Sequence, residues 1–236
     1  MNQEQLLSQK LTCLFETGKS ELSAASIEEL GDGRGYTCGW AGFTTADEEV
    51  VACVEEYSRV SPGNELEPLL DELRRLHSEG SDDTSALDEL DFKSLWENAA
   101  ATDEFNAAYA NVVERIFGES ARTHVEQLGL ELPVAHAILF DSVIQHGNDR
   151  DLDGVPAMIA RTRQQAGEPS ADEAAWLGEF LGVRRETLQN PHNRDTAKEW
   201  RQSVSRVEAL ENILQENPQL ETPIAVKSSE HDEEID

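Results

Sequence analysis

The chain has 236 residues, with 19 Lys and Arg against 48 Asp and Glu, and a formal net charge of −29 at pH 7. At about 150 residues per domain, that length makes one large domain or two lobes around a common core. Such a charge repels phosphates and so argues against nucleic acid, pointing instead to a cation or polycation as partner, or else to salty solvent. No apolar run approaches the ~18 residues of a membrane-spanning helix, which rules out a membrane span, and no membrane partner is expected.

Hydrophobic residues make up 38% of the chain, and aromatics and periodic apolar runs exclude general disorder. Cys13, Cys38 and Cys53 are odd in number, so full internal pairing is excluded, and their spacing does not suit zinc. One bridge from Cys38 to Cys13 or Cys53 stays open. The start, Met-Asn-Gln-Glu, has no basic or apolar signal region, which fits either a mature form with an added Met or a protein that stays inside.

In chain order, Leu6, Leu7, Leu11, Leu14 and Phe15 repeat at helical spacing and stop before Gly18. Residues 31–44, rich in glycine with Tyr36, Thr37, Trp40, Phe43 and Thr44, predict short strands joined by tight turns. Val50 to Tyr57 form a second amphipathic helix, closed by Ser61-Pro62-Gly63-Asn64, and Leu66 to Leu76 a third. Residues 78–91 read as a polar loop and a boundary between lobes. Further helices are predicted over 92–100, 103–117, 133–146, 170–188 and 196–216. Residues 1–227 then make one α+β, mainly helical domain, and the acidic tail 228–236 is expected to be disordered.

Two carboxylates with different tasks are what glycosidic hydrolysis needs: a protonated one for the leaving oxygen and an ionised one for water or the sugar. Glu16, leaving an apolar helix face, and Asp32, flanked by glycines, are candidates for the two roles. The acid must be neutral when it acts, which calls for apolar surroundings or nearby negative charge.

The stretch from Glu16 to Phe43 closely resembles the catalytic region of the glycoside hydrolase family 46 chitosanases. Those have a Glu ending an N-terminal helix, then Gly-Asp-Gly-Arg-Gly-Tyr-Thr, intact here as Gly31 to Thr37, then Gly-Phe, here Gly42-Phe43. Phe140 to Gly147 is similar to the family's Tyr-Asp-Ala-Ile-x-x-His-Gly helix, and Ser205-Arg206-Val207 leading to Asn217-Pro218 to its C-terminal helix. Ser26 stands where the family has a tyrosine, and the link from Glu16 to Asp32 is shortened.

The resemblance implies a lysozyme-like two-lobed fold with a small β-sheet near the N-terminus and a substrate cleft between lobes. It implies an enzyme, an endo-chitosanase cleaving β-1,4 bonds between glucosamine units with inversion, and a secreted monomer that uses no metal or cofactor. By position, Glu16 would be the general acid and Asp32 the general base, with Thr37 helping to hold the water. Arg34, Glu49 and His146 would contact substrate. Asp141 and Arg206 would form a buried ionic network steadying the acid, with Arg184, Arg194 and Arg201 open as further members. Chitosan is a polyamine, so carboxylates and an overall negative field suit it.

Two rival readings stand beside this one. A muramidase-like hydrolase is disfavoured because bacterial walls are themselves anionic. A non-catalytic chitosan- or polycation-binding protein would not need the intact Glu16, Asp32 and Thr37.

Asp149-x-Asp151-x-Asp153-Gly154 is like half an EF-hand, but Ala160 replaces the bidentate Glu and Pro156 interrupts the loop, so a solvated acidic turn is expected. His124 and His136 read as ordinary surface or core histidines. Of the four tryptophans, Trp96, Trp176 and Trp200 read as core, and Trp40 as the one most suited to stacking on a sugar.

Overall fold

Helix α1 (Gln3–Thr17) begins at Asn2, whose side chain accepts from Gln5 N at 2.8 Å while Gln5 Oε1 accepts from Asn2 N at 2.8 Å. This reciprocal cap satisfies two donors that a helix start otherwise strands. The helix ends where Gly18 turns left-handed (φ 72°) and returns its N–H to Leu14 O at 2.8 Å. The computed structural model describes residues 2–169, 172–193 and 197–236. The chain divides into two compact units, one discontinuous (Met1–Ser20 with Phe117–Asp236) and one contiguous (Glu21–Ile116).

The contiguous unit holds the antiparallel sheet β1 (Ile27–Glu29), β2 (Tyr36–Cys38) and β3 (Phe43–Thr44), in that order. Against it stand α2 (Glu48–Val60), α3 (Leu70–Glu79), α4 (Ser85–Glu89), α5 (Phe92–Ala100) and α6 (Asp103–Val113). Helix α2 packs on α3, α6 and β3, and α5 on β1. Trp96 makes edge contacts with Phe105 and Tyr109, and Phe43 stacks on Tyr109. All five rings of Phe43, Phe92, Trp96, Phe105 and Tyr109 are buried. The tight turn after β2 needs glycine at 39: φ there is 71°, and a Cβ would run into the Tyr109 ring.

The discontinuous unit packs α1 on α8 (Pro133–His146), which also meets α7 (Glu119–Leu128), α9 (Val155–Ala166) and α12 (Val204–Glu216). Helix α10 (Glu173–Gln189) lies on α9, α11 (Ala197–Gln202) and α12. Every residue of α8 from Val134 to Val143 is buried, which is why its polar members must find partners inside. The hairpin β4 (Ile224–Lys227) and β5 (Asp232–Ile235) closes this unit, β4 against α12.

The α+β, mainly helical reading holds, with several corrections. The acidic tail is ordered: residues 232–235 pair antiparallel with 224–227, Ile235 is buried opposite Ile224, and backbone hydrogen bonds supply what its side chains lack. Residues 78–91 are neither a plain loop nor the division between units, because α3 runs to Glu79 and Leu87 anchors α4 in the core. The predicted helix 103–117 passes at Glu114–Gly118 through a wider turn into α7. Helices α7 and α9 were not predicted. The segment 196–216 breaks at Ser203 into α11 and α12. The starts expected at 170 and 196, and Arg194, lie outside the described residues. Among the described residues, no helix is long and apolar enough to cross a membrane.

Candidate active site

In the discontinuous unit the buried stripe Leu7, Leu11 and Leu14 fixes α1 on α8, and Glu16 emerges as the next-to-last residue of α1, its side chain 33% exposed. Glu16 Oε1 accepts from Arg206 Nη1 at 2.8 Å, and Arg206 Nη2 donates to Asp141 Oδ1 at 2.5 Å. Arg184 Nη2 pairs with Asp141 Oδ2 at 2.6 Å, and both of those side chains are fully buried. Burial alone would raise the Asp141 carboxyl, but the two guanidiniums overcome it and hold it down at about 2. Asp141 therefore stays a carboxylate that locks both arginines, and Arg206 fixes the direction of Glu16. Glu16 thus faces a cation whose charge is shared with Asp141, not the apolar or anionic wall expected of it.

Arg184 completes the expected network and was left open by the sequence. Its signal was there: 177, 181, 184 and 188 form one helical stripe on α10, and an arginine among Leu177, Leu181 and Leu188 implies a buried partner. Arg184 also donates to Gln145 Oε1 at 2.5 Å and to His146 Nε2 at 3.3 Å. His146 was expected to touch substrate. The structure places it inside instead, 6% exposed, with its ring edge-on to Trp200 at 4.7 Å. Burial, then the charges of Arg184 and Arg206, keep its basicity well below the ordinary value, so it serves as a neutral acceptor for Arg184.

In the contiguous unit the glycine-rich loop folds Arg34 back on Asp32. Arg34 N donates to Asp32 Oδ1 at 3.1 Å, and Nε and Nη2 donate to Oδ2 at 3.0 and 2.7 Å. Burial pushes the Asp32 carboxyl up, yet the hydrogen bonds and charge of Arg34 outweigh it and hold it below the usual range. Asp32 is therefore set to be ionised, as a base must be. The loop is anchored by Tyr36 N donating to Thr45 Oγ1 (3.0 Å) and Ala46 N to Arg34 O (3.2 Å). Gly35 is needed because its φ is 71° and a Cβ would overlap Thr45 Oγ1.

Thr37, at the centre of β2, sits opposite Glu28 and Thr44 and turns away from the core side chains Tyr36 and Cys38. Its buried hydroxyl has no hydrogen-bond partner in the protein. Tyr36 reaches the other way, donating to Asp88. Burial and that bond push its hydroxyl up to about 12. Glu49 lies in the first turn of α2, half-buried, with Oε2 unpartnered. Burial raises its carboxyl, and the charges of Asp47 and Glu48 add to the rise.

Trp40, expected to be available to a sugar, is buried, and its backbone N–H donates to Ser23 O at 3.2 Å. Trp200 is the partly exposed tryptophan instead. Cys13, Cys38 and Cys53 are all buried and none is in a disulfide. The acidic turn 149–154 is not merely solvated: Asp153 is buried and accepts from His192 N, His192 Nδ1 and Asn193 N at 3.1, 3.0 and 2.9 Å. His124 bonds Asn148 at the surface, and His136 is buried against Ser8. Among the described residues, no group of three or more His, Cys, Asp or Glu could hold a metal ion.

A helical protein with a small N-terminal sheet, a glycine-cradled aspartate and a glutamate directed by a buried Arg–Asp pair has the make-up of a glycoside hydrolase. Residues 10–224 match glycosyl hydrolase family 46, and the chain belongs to that family. Over 228 residues it is 44% identical to a chitosanase of Bacillus subtilis (strain 168), covering 95% of this chain and 82% of that one. Its fold is similar to the crystal structure of native chitosanase from Bacillus subtilis MY002, with a TM-score of 0.90, 43% identity and 100% of both chains covered. It is also similar to the Gynuella sunshinyii GH46 chitosanase GsCsn46A in complex with chitotetraose, with a TM-score of 0.88 and 33% identity over 100% of this chain and 98% of that one.

Proposed function

We propose that the chain is a secreted, endo-acting chitosanase that hydrolyses β-1,4 bonds between glucosamine units with inversion. The observation that carries this is the setting of Glu16, a partly exposed carboxylate directed by a buried guanidinium that Asp141 in turn locks. A purely structural role would not leave that carboxylate at the surface. Glu16 donates its proton to the glycosidic oxygen as the bond to the anomeric carbon breaks. Asp32, kept ionised by Arg34, takes a proton from water, and the Thr37 hydroxyl orients that water. The new C–O bond forms on the face opposite the leaving group, so configuration inverts and the proton taken up by Asp32 balances the one given by Glu16.

Glu49, partly dehydrated and anionic when paired, suits the ammonium of a glucosamine unit. The net charge of −29 favours encounter with a polyamine. The names of the relatives agree with this substrate. A polymer too large to enter a cell places such an enzyme outside it.

The test is reducing-end release from highly deacetylated chitosan, with chitin as control, for wild type, Glu16→Gln and Asp32→Asn. Each substitution is expected to cost about 10³-fold or more in kcat while circular dichroism stays unchanged. NMR of the fresh product should show the α-anomer first. Binding without cleavage by the wild type would give the protein a binding role instead.

A further inference from the structure

The ordered C-terminal hairpin bridges the two helices that carry Glu16 and Arg206. At its turn, Ser228 N donates to His231 O (2.9 Å), His231 N to Ser228 Oγ (3.1 Å), and Ser228 Oγ meets His231 Nδ1 at 2.9 Å. This turn is fastened to α12 on both sides of Arg206. Ser205 Oγ donates to Glu230 Oε2 at 2.7 Å, and Ser229 N and Oγ donate to Glu208 Oε2 at 3.1 and 2.7 Å. The far end of the hairpin reaches α1, where Lys10 Nζ donates to Asp236 O at 2.7 Å.

So held, the His231 ring stands edge-on to Phe15, centroids 5.2 Å apart at 79°. Phe15 precedes Glu16 directly, and the Arg206 guanidinium lies over the same ring at 5.4 Å. Arg206 is therefore gripped on three sides, by Asp141, by Glu16 and by the Phe15 face. The same Phe15 ring is the one that His231 meets edge-on. A cation over an aromatic face and an edge-to-face ring pair each have a preferred geometry, so the ring pair constrains the guanidinium.

We infer that His231 is a positioning residue for the reaction, acting through Phe15 and Arg206 to hold Glu16 in its working direction. This rests on the reading of Glu16 as the acid. Without the His231 edge the Phe15 ring turns freely, Arg206 loses its platform and the Glu16 carboxyl wanders. A loss of alignment costs rate rather than binding.

The experiment measures kcat, KM and the pH profile of kcat on chitosan oligomers for His231→Ala, His231→Phe, Phe15→Leu and the Phe15→Leu/His231→Ala double variant, with Glu16→Gln alongside. His231→Ala is expected to lower kcat about three- to tenfold with KM within about twofold, and to displace the limb of the profile that reports the acid. His231→Phe, which restores a ring edge, should recover kcat to within about twofold. The double variant should be no worse than Phe15→Leu alone, since both act through one ring. An unchanged kcat and profile in His231→Ala, with Glu16→Gln inactive, overturns the inference and leaves the reading of the acid standing. Activity retained in Glu16→Gln overturns that reading, and this inference with it.

Discussion

Arg206 donates to Glu16 at 2.8 Å although the two residues are 190 positions apart in the chain. The other arm of the same guanidinium rests on buried Asp141, so the direction of Glu16 depends on an ion pair in the core.

That dependence separates the two arginines of the network. Removing one partner of a buried pair leaves the remainder under-compensated, so Arg206→Met and Arg184→Met are each expected to cost about 3 kcal/mol, read from urea midpoints. Only Arg206 touches Glu16, so only Arg206→Met should also lower kcat, by about 10²-fold. Equal kcat in the two variants would show that the network acts on stability alone.

Arg34 is predicted to set the acid limb of the pH profile. It holds the Asp32 carboxyl below its ordinary value against the opposing push of burial. In Arg34→Ala the carboxyl rises, so protonation disables the base at higher pH. The acid limb of kcat/KM then moves to higher pH while the alkaline limb stays. A fixed acid limb would mean that Asp32 is not the base.

His136 is predicted to make stability depend on mild acid. Its ring is buried with Nδ1 on Ser8 Oγ at 2.9 Å, and burial, then the charge of Arg122, pulls its basicity down to about 4. The unfolded chain binds that proton near pH 6.5. The contribution is therefore fully present above about pH 6.5, is lost as pH falls from there towards about 4, and amounts to about 3 kcal/mol at most. Urea midpoints between pH 7 and 4.5 should fall less steeply for His136→Gln than for wild type. Parallel slopes would sink the assignment.

What could be read from the sequence was periodic or local. Helix α1 carried its apolar stripe and a terminating glycine, and the loop 31–37 carried its own motif. Helix α9 carries Val155, Met158, Ile159 and Thr162 at helical spacing, yet Pro156 was read only as an interruption of the acidic turn before it. That proline stands in the first helical turn, where its missing N–H costs nothing. Trp40, set among glycines, read as a surface ring, but the turn that Gly39 makes sends it inward. Strand β5 is acidic along its length except for Ile235, so the backbone pairing that orders it leaves no hydrophobic pattern to find. For the site, the two carboxylates were legible through the motif. The arginine that directs Glu16 was placed by resemblance alone, since contacts over such separations leave no local trace.

The pairing of Glu16 with Arg206 also fixes an order of events during synthesis. The contiguous unit Glu21–Ile116 has its whole sequence available once residue 116 has been added. Helix α1 is made earlier still, but the helix it packs on ends at His146. No nascent chain that stops before Arg206 can hold the Arg206–Glu16 pair, and none that stops before His231 the ring contact with Phe15. Glu16 is thus set in place by residues made long after it, and the ribosome must pass both Arg206 and His231 before that carboxylate has these surroundings.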